Sequence, residues 1–214
     1  MNNIIFISGI DTDAGKTYAT AWLAKQLMTK GQTVVTQKFI QTGNHDFSED
    51  ITRHRELMGI DLLPEDFDHT TAPIIFSYPA SAQLAAKLDG KDIDLNLVDK
   101  STEILASRYD NVLIEGAGGL MVPITDDFLT IDYISSRKLP VALVTNSKLG
   151  SINHTILSLE ALKSRNINVK YVLYSTHLDT DATISADTKR YVKQYLAKHF
   201  PETELLFVPK NELR

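Results

Sequence analysis

One segment combines residue types suited to gripping a polyphosphate: Ser8-Gly9-Ile10-Asp11-Thr12-Asp13-Ala14-Gly15-Lys16-Thr17. Gly15 lets the backbone approach an anion. Lys16 can reach β/γ oxygens, and the Thr17 hydroxyl can ligate Mg²⁺. The ordinary loop reads G-x-x-x-x-G-K-[ST]; here five residues separate Gly9 from Gly15, one more than that pattern allows. A second segment, Asn111-Val112-Leu113-Ile114-Glu115-Gly116-Ala117-Gly118-Gly119, ends an apolar run on a carboxylate followed by glycines. That is a place for an acid that holds Mg²⁺ or its water, with backbone free to come close. In the third, Thr36-Gln37-Lys38-Phe39-Ile40-Gln41-Thr42-Gly43, a strand-end lysine can offer a second positive charge to a transferring phosphoryl group. Each has a plainer reading: a helix cap, a glycine-rich turn, and a solvated lysine.

These residues work together only if strands and helices deliver them to one edge. Apolar runs at 4–7, 34–38, 110–115, 140–145, 169–174 and 204–208 are nearly continuous rather than alternating. Such runs suit strands buried on both faces. Helical spacing fills residues 17–29, 94–108, 130–137, 151–165 and 184–199. The alternation predicts an α/β, doubly wound, mainly parallel sheet of six to seven strands with helices on both faces. Its ligands would lie at the carboxyl ends of the strands. Residues 39–80 break the rhythm; a short helix near 49–58 and then irregular chain are expected there.

Composition narrows the field further. The 214 residues suit one domain, 1–214, and 43% are hydrophobic, enough for a core. Cysteine is absent, which excludes disulfides, thiolate metal sites and a Cys nucleophile. A net charge of −5 without a basic stretch argues against nucleic acid and membrane surfaces as partners. No apolar run approaches a membrane span, and the N-terminus lacks the pattern of a signal peptide, so a cytoplasmic location is expected. The ten glycines are few, and seven of them fall in the segments that could build a site.

Together the motifs resemble the dethiobiotin synthetase family, P-loop NTPase-like ligases whose loop reads G-x-D-T-[DE]-x-G-K-T. Gly9 to Thr17 matches it throughout, including the longer gap. Ile114–Gly119 matches [VI]-E-G-A-G-G, and Lys148-Leu149-Gly150-Ser151-Ile152-Asn153-His154 matches K-L-G-x-I-N-H. The resemblance implies carboxylation of 7,8-diaminononanoate by CO₂ and closure to a cyclic urea. ATP is the co-substrate and Mg²⁺ the metal, and the route runs through a carbamate and its mixed anhydride with phosphate. It implies that Lys16 binds phosphates and that Lys38 is the catalytic lysine, with Thr12 and Thr42 facing substrate. It assigns Mg²⁺ to Thr17, Asp50 and Glu115. Nucleotide contacts would come from Asp13, Ala14, Gly15, Lys16, Thr17, Asp50 and Glu115, then Gly116, Ala117 and Gly118, and finally Ser175, Thr176 and Pro209.

The family is a homodimer with active sites at the interface. There the turn Gly150, Ser151, Ile152 and Asn153 receives the substrate carboxylate from the neighbouring subunit, an anion at a helix N-terminus. His154 is expected to be a packing residue. Phe39 and Thr42 stand where the family often has Pro and Ser, and Ser81-Ala82-Gln83 replaces an S-P-H pattern. Ser175-Thr176 stands where Asn-Asp reads adenine, and the turn 208–212 matches loosely. Two other readings share the fold. A ParA/MinD-type ATPase switch carries a lysine where this loop has Asp11, and it needs a DNA or membrane footprint. A small-molecule kinase leaves the E-G-A-G-G strand end unexplained.

Overall fold

The apolar runs form one parallel sheet in the computed structural model, which describes residues 3–210. Along the chain, β1 (Asn3–Gly9) leads to α1 (Lys16–Met28), β2 (Val34–Lys38), the short β3 (Gln41–Thr42) and α2 (Glu49–Met58). Then come α3 (Pro64–Phe67), β4 (Ile75–Phe76), α4 (Ala82–Asp89), α5 (Leu95–Arg108) and β5 (Asn111–Gly119). A small hairpin, β6 (Pro123–Thr125) with β7 (Phe128–Leu129), precedes α6 (Thr130–Ser136), β8 (Val141–Thr145) and α7 (Ser151–Ser164). The chain continues through β9 (Val169–Ser175), a 3₁₀ turn (Thr176–Leu178), α8 (Ala182–His199) and β10 (Glu204–Val208).

Six strands build the main sheet in the order β10-β9-β8-β1-β5-β2, every neighbour parallel. The expected α/β architecture and the six apolar runs are all present. Because side chains alternate along a strand, successive residues enter different cores. Ile5, Ile7, Leu113, Ala142 and Val144 pack against α1 and the end of α2. Phe6, Val112, Ile114, Val141 and Leu143 pack against the side carrying α4 to α8. Each fully buried Ile, Leu or Phe contributes about 1.5–3 kcal/mol relative to exposure, so both faces stabilise the sheet.

Residues 39–80 hold more order than expected. The helix at 49–58 is there, capped by the Ser48 hydroxyl, which accepts from the Ile51 N–H, and ended by Gly59 in the left-handed region. In place of irregular chain, Arg55 organises the segment after α2. Its guanidinium is buried and forks onto Asp66 at 2.9 and 2.8 Å, and it also donates to Thr36 Oγ1 at 2.7 Å. This bidentate pair ties α2 and α3 to the strand that ends in Lys38. Helix α4 has no counterpart among the helices that spacing predicts. It is short and comes after two prolines, and its existence rests on burying Ala82, Ala85 and Ala86 in the core. Among the described residues no helix is long and apolar enough to cross a membrane.

Candidate active site

The site begins with a register. In β2 and β5, Lys38 lies directly beside Glu115, and Glu115 lies beside Ile7 of β1. Two parallel strands thus deliver a lysine and a carboxylate side by side, toward α1 and α2: Lys38 ends β2, whereas Glu115 lies within β5, which runs on past the expected end through the glycines to Gly119. Lys38 Nζ sits 2.8 Å from Glu115 Oε1 and 2.5 Å from Asp50 Oδ2, and both Lys38 and Glu115 are buried. Asp50 comes from the first turn of α2. The Thr17 hydroxyl, from the first turn of α1, lies 3.0 Å from Asp50 Oδ1 and 3.2 Å from Glu115 Oε1.

Burial opposes the Glu115 charge, but Lys38 and His54 outweigh it and hold the carboxyl well below the ordinary glutamate range. Lys38 shows the mirror case. Burial disfavours its charge, while Glu115 and Asp50 together keep its pKa above the ordinary lysine value.

The phosphate loop closes the other side. Gly15 adopts φ 93°, a left-handed conformation that glycine reaches without strain, and α1 begins with no side chain capping its N–H groups. Uncapped N–H groups at the positive end of a helix dipole suit an anion. Lys16 Nζ donates to the carbonyls of Asp11 and Thr12 at 3.0 and 2.9 Å, so the loop wraps its own lysine. Burial, and then the nearby Lys38 charge, lower the Lys16 pKa to about 8 against the pull of Glu115 and Asp50.

A cavity of about 780 Å³ opens between these parts. Thr12, Asp13, Gly15, Lys16, Thr17, Lys38, Thr42, Asp50, Glu115, Ala117 and Gly118 all line it. Ala14 is buried beneath the loop. Gly116 packs against the Phe6 ring, where a Cβ would lie 2.8 Å from Cε1. Ser175 is buried behind the loop, its Oγ without a hydrogen-bond partner among the described residues and 3.2 Å from where a Cβ on Gly15 would stand. Thr176 Oγ1 donates to the Val208 carbonyl at 2.9 Å, and the Pro209 carbonyl accepts from Tyr18 Oη at 2.8 Å. Tyr18 and His177 stack at the cavity wall with centroids 5.1 Å apart. Asn211 and Glu212, part of the loosely matching turn, lie outside the described residues.

The turn Gly150, Ser151, Ile152 and Asn153 is not among the residues lining this cavity. It starts α7 with Gly150 at φ 95° and no side-chain cap. Ser151 Oγ is buried without a partner among the described residues. His154, expected to be packed, is exposed: the helix turns it outward and buries Thr155 and Leu159 instead. Sequence reading also missed His54, which is fully buried with Nε2 2.7 Å from Glu115 Oε2. Its one available signal was the spacing from Asp50, four residues on the same helix face.

Among the described residues no group of three or more His, Cys, Asp or Glu forms an all-protein metal cage. Two carboxylates and a hydroxyl at the mouth of a phosphate loop still suit Mg²⁺. That ion takes one or two carboxylates and fills its remaining positions with water and substrate phosphates.

Parallel strand order, phosphate loop and the buried acid of β5 define a P-loop NTPase-like nucleotide-binding protein. A ParA family ATPase from Chlorobium tepidum shares the fold, with TM-score 0.56, 17% identity, and coverage of 99% of this chain and 86% of that one. A family model described as an AAA domain matches residues 3–213. Two curated proteins named ATP-dependent dethiobiotin synthetase BioD 2 are similar over most of their length. The Pasteurella multocida protein is 47% identical over 95% of both chains, and the Haemophilus influenzae protein is 51% identical over 85% of this chain and 95% of its own. This chain belongs to the ATP-dependent dethiobiotin synthetase family.

Proposed function

We propose that the chain, as a single ligase domain, converts 7,8-diaminononanoate, CO₂ and ATP into dethiobiotin, ADP and phosphate. The observation that carries this reading is a pair of lysines in one cavity: Lys16 within the phosphate loop, and Lys38 between two carboxylates. Family membership supports the ligase activity with ATP as co-substrate.

One amine of the substrate takes up CO₂ and loses a proton, giving a carbamate. A carbamate oxygen attacks the γ-phosphorus and ADP leaves, forming a carbamic–phosphoric anhydride. The second amine attacks the carbamate carbon, phosphate departs with its bridging oxygen, and the ring closes. This chain's part is positioning and charge neutralisation. Lys16 and the N–H groups opening α1 hold the phosphates. Lys38 stands where carbamate and γ-phosphate meet, and Thr12 and Thr42 face the substrate. Thr17, Asp50 and Glu115 would hold Mg²⁺, which neutralises phosphate charge when bound. Asp13 to Thr17, Gly116 to Gly118, Ser175, Thr176 and Pro209 surround the nucleotide.

The position of Gly150–Asn153 away from the cavity supports a homodimer in which this helix start receives the substrate carboxylate from a neighbour. The acidic charge supports a protein working free of nucleic acid and membrane, in the cytoplasm. The test is purified protein with ATP, Mg²⁺, bicarbonate and the diamine, following phosphate and product mass together. One phosphate per dethiobiotin, released only when diamine and bicarbonate are both present, is the expected result. Phosphate release independent of either would refute the ligase reading and favour an ATPase switch.

A further inference from the structure

We propose that His54 is a positioning residue for this reaction. It pins one Glu115 oxygen away from the cavity, so that the other alone serves Lys38, Thr17 and bound Mg²⁺. The inference rests on the reading of Glu115 as an acid that holds the metal.

The geometry divides the carboxylate. Glu115 Oε1 faces Lys38 Nζ at 2.8 Å and Thr17 Oγ1 at 3.2 Å, whereas Oε2 faces His54 Nε2 at 2.7 Å. An ionised carboxylate only accepts, so Nε2 carries the hydrogen and donates it. The last torsion of a glutamate is broad and nearly two-fold, so an unheld carboxylate turns freely between equivalent settings. With His54 on one oxygen, that freedom is gone.

His54 has no evident task except this one bond. The ring is fully buried, and its Nδ1 has no partner among the described residues. Buried polar atoms are ordinarily satisfied, so a histidine kept merely for packing would be expected to have both nitrogens bonded. An apolar side chain would fill the space without stranding an atom. Asp50 and His54 are one turn apart on α2, so a single helix presents one acid directly and orients the other. The remaining charged groups at this point, Lys38, Asp50 and Lys16, lie on the cavity side of Glu115. Partners behind a metal-binding carboxylate commonly change metal affinity or activity 10–100-fold when removed.

The experiment measures Mn²⁺ binding by electron paramagnetic resonance in the presence of ADP, alongside the Mg²⁺ activation constant and the KM for the diamine. The proteins are wild type, Glu115→Gln, His54→Leu, His54→Asn and His54→Gln. A glutamine amide nitrogen reaches where Nε2 stands; asparagine and leucine cannot supply it. Expected are a roughly tenfold or greater loss of Mn²⁺ affinity and a matching rise in the Mg²⁺ requirement for Leu and Asn. Metal-free ADP affinity and the diamine KM stay near wild type, and Gln restores binding to within about threefold. Should the Leu variant not fold, Asn, similar in shape and polarity, carries the comparison. Wild-type Mn²⁺ affinity in the Leu or Asn variant, or a Gln variant as weak as they are, overturns the role of His54. Equal Mn²⁺ binding by wild type and Glu115→Gln overturns the reading of Glu115 itself and the proposal with it.

Discussion

Lys38→Met removes the cation from between two acids and leaves them behind. Lys38 Nζ lies 2.5 Å from Asp50 and 2.8 Å from Glu115, and the Glu115 side chain is only 1% exposed. At an effective dielectric near 20, each contact represents about 6 kcal/mol of gross attraction. Most of that is offset by the desolvation of the ammonium group in the native protein. In the variant the desolvation of Glu115 remains while its partner is gone. The net loss should therefore be about 3–5 kcal/mol, the usual cost of breaking a buried pair from one side. His54 still holds the other Glu115 oxygen, which keeps the loss from the upper end. Adding Glu115→Gln removes the stranded charge, so the double variant should recover about half of the loss or more. The assay is urea unfolding of wild type, both single variants and the double variant at neutral pH, without metal or nucleotide. A Lys38→Met variant within about 1 kcal/mol of wild type, with no coupling to Glu115→Gln, would refute the electrostatic reasoning.

Other perturbations address separate parts of the site. Gly15→Ala places a side chain at φ 93° and against Ser175 Oγ; nucleotide affinity measured by calorimetry should fall at least about tenfold. Gly116→Ala drives a Cβ to 2.8 Å from the fully buried Phe6 ring, and thermal unfolding should register a loss of about 1–3 kcal/mol. Ser175-Thr176 stands where the family has Asn-Asp, Ser175 Oγ is buried behind the loop and Thr176 Oγ1 donates to the Val208 carbonyl, so weak discrimination among bases is expected. GTP and CTP should then support turnover within about tenfold of ATP in a competition assay. Burial raises the Asp179 carboxyl, but Lys189, Ser147 and Ser185 outweigh it and hold its pKa below the ordinary value. That stabilisation is present above an ordinary carboxylate pKa of about 4 and is lost as pH falls further. The gap in melting temperature between wild type and Asp179→Asn should accordingly shrink below about pH 4.

Contiguous motifs made much of the site legible. The phosphate loop needs neighbours in sequence, so Gly15, Lys16 and Thr17 announced themselves. Lys38 was readable because it closes a buried strand and Glu115 because it ends an apolar run, although β5 itself continues to Gly119; parallel register does the rest. Asp50 came only through family resemblance, since a lone aspartate on a helix has no local signature. His54 escaped for the same reason: its partner is 61 residues away in sequence. The Arg55–Asp66 pair was equally hidden, because it joins two helices across a turn that the prolines made look irregular. Helix α4 did carry a local signal, strong helix formers from Ala82 to Leu88 and a stop at Gly90, but at eight residues it is too short for propensity alone to establish and depends on burying its alanines.

The fate of the CO₂ oxygens tests the mixed-anhydride route most directly. In a rapidly quenched single turnover with ¹⁸O-labelled CO₂ in unlabelled water, mass spectrometry of the phosphate reads which bond broke. The bridging oxygen of a carbamic–phosphoric anhydride comes from CO₂ and leaves with phosphorus. The released phosphate should therefore carry one ¹⁸O atom, and the ureido carbonyl of dethiobiotin the other. Unlabelled phosphate, formed alongside labelled product, would contradict the proposed chemistry of Lys38 and its neighbours.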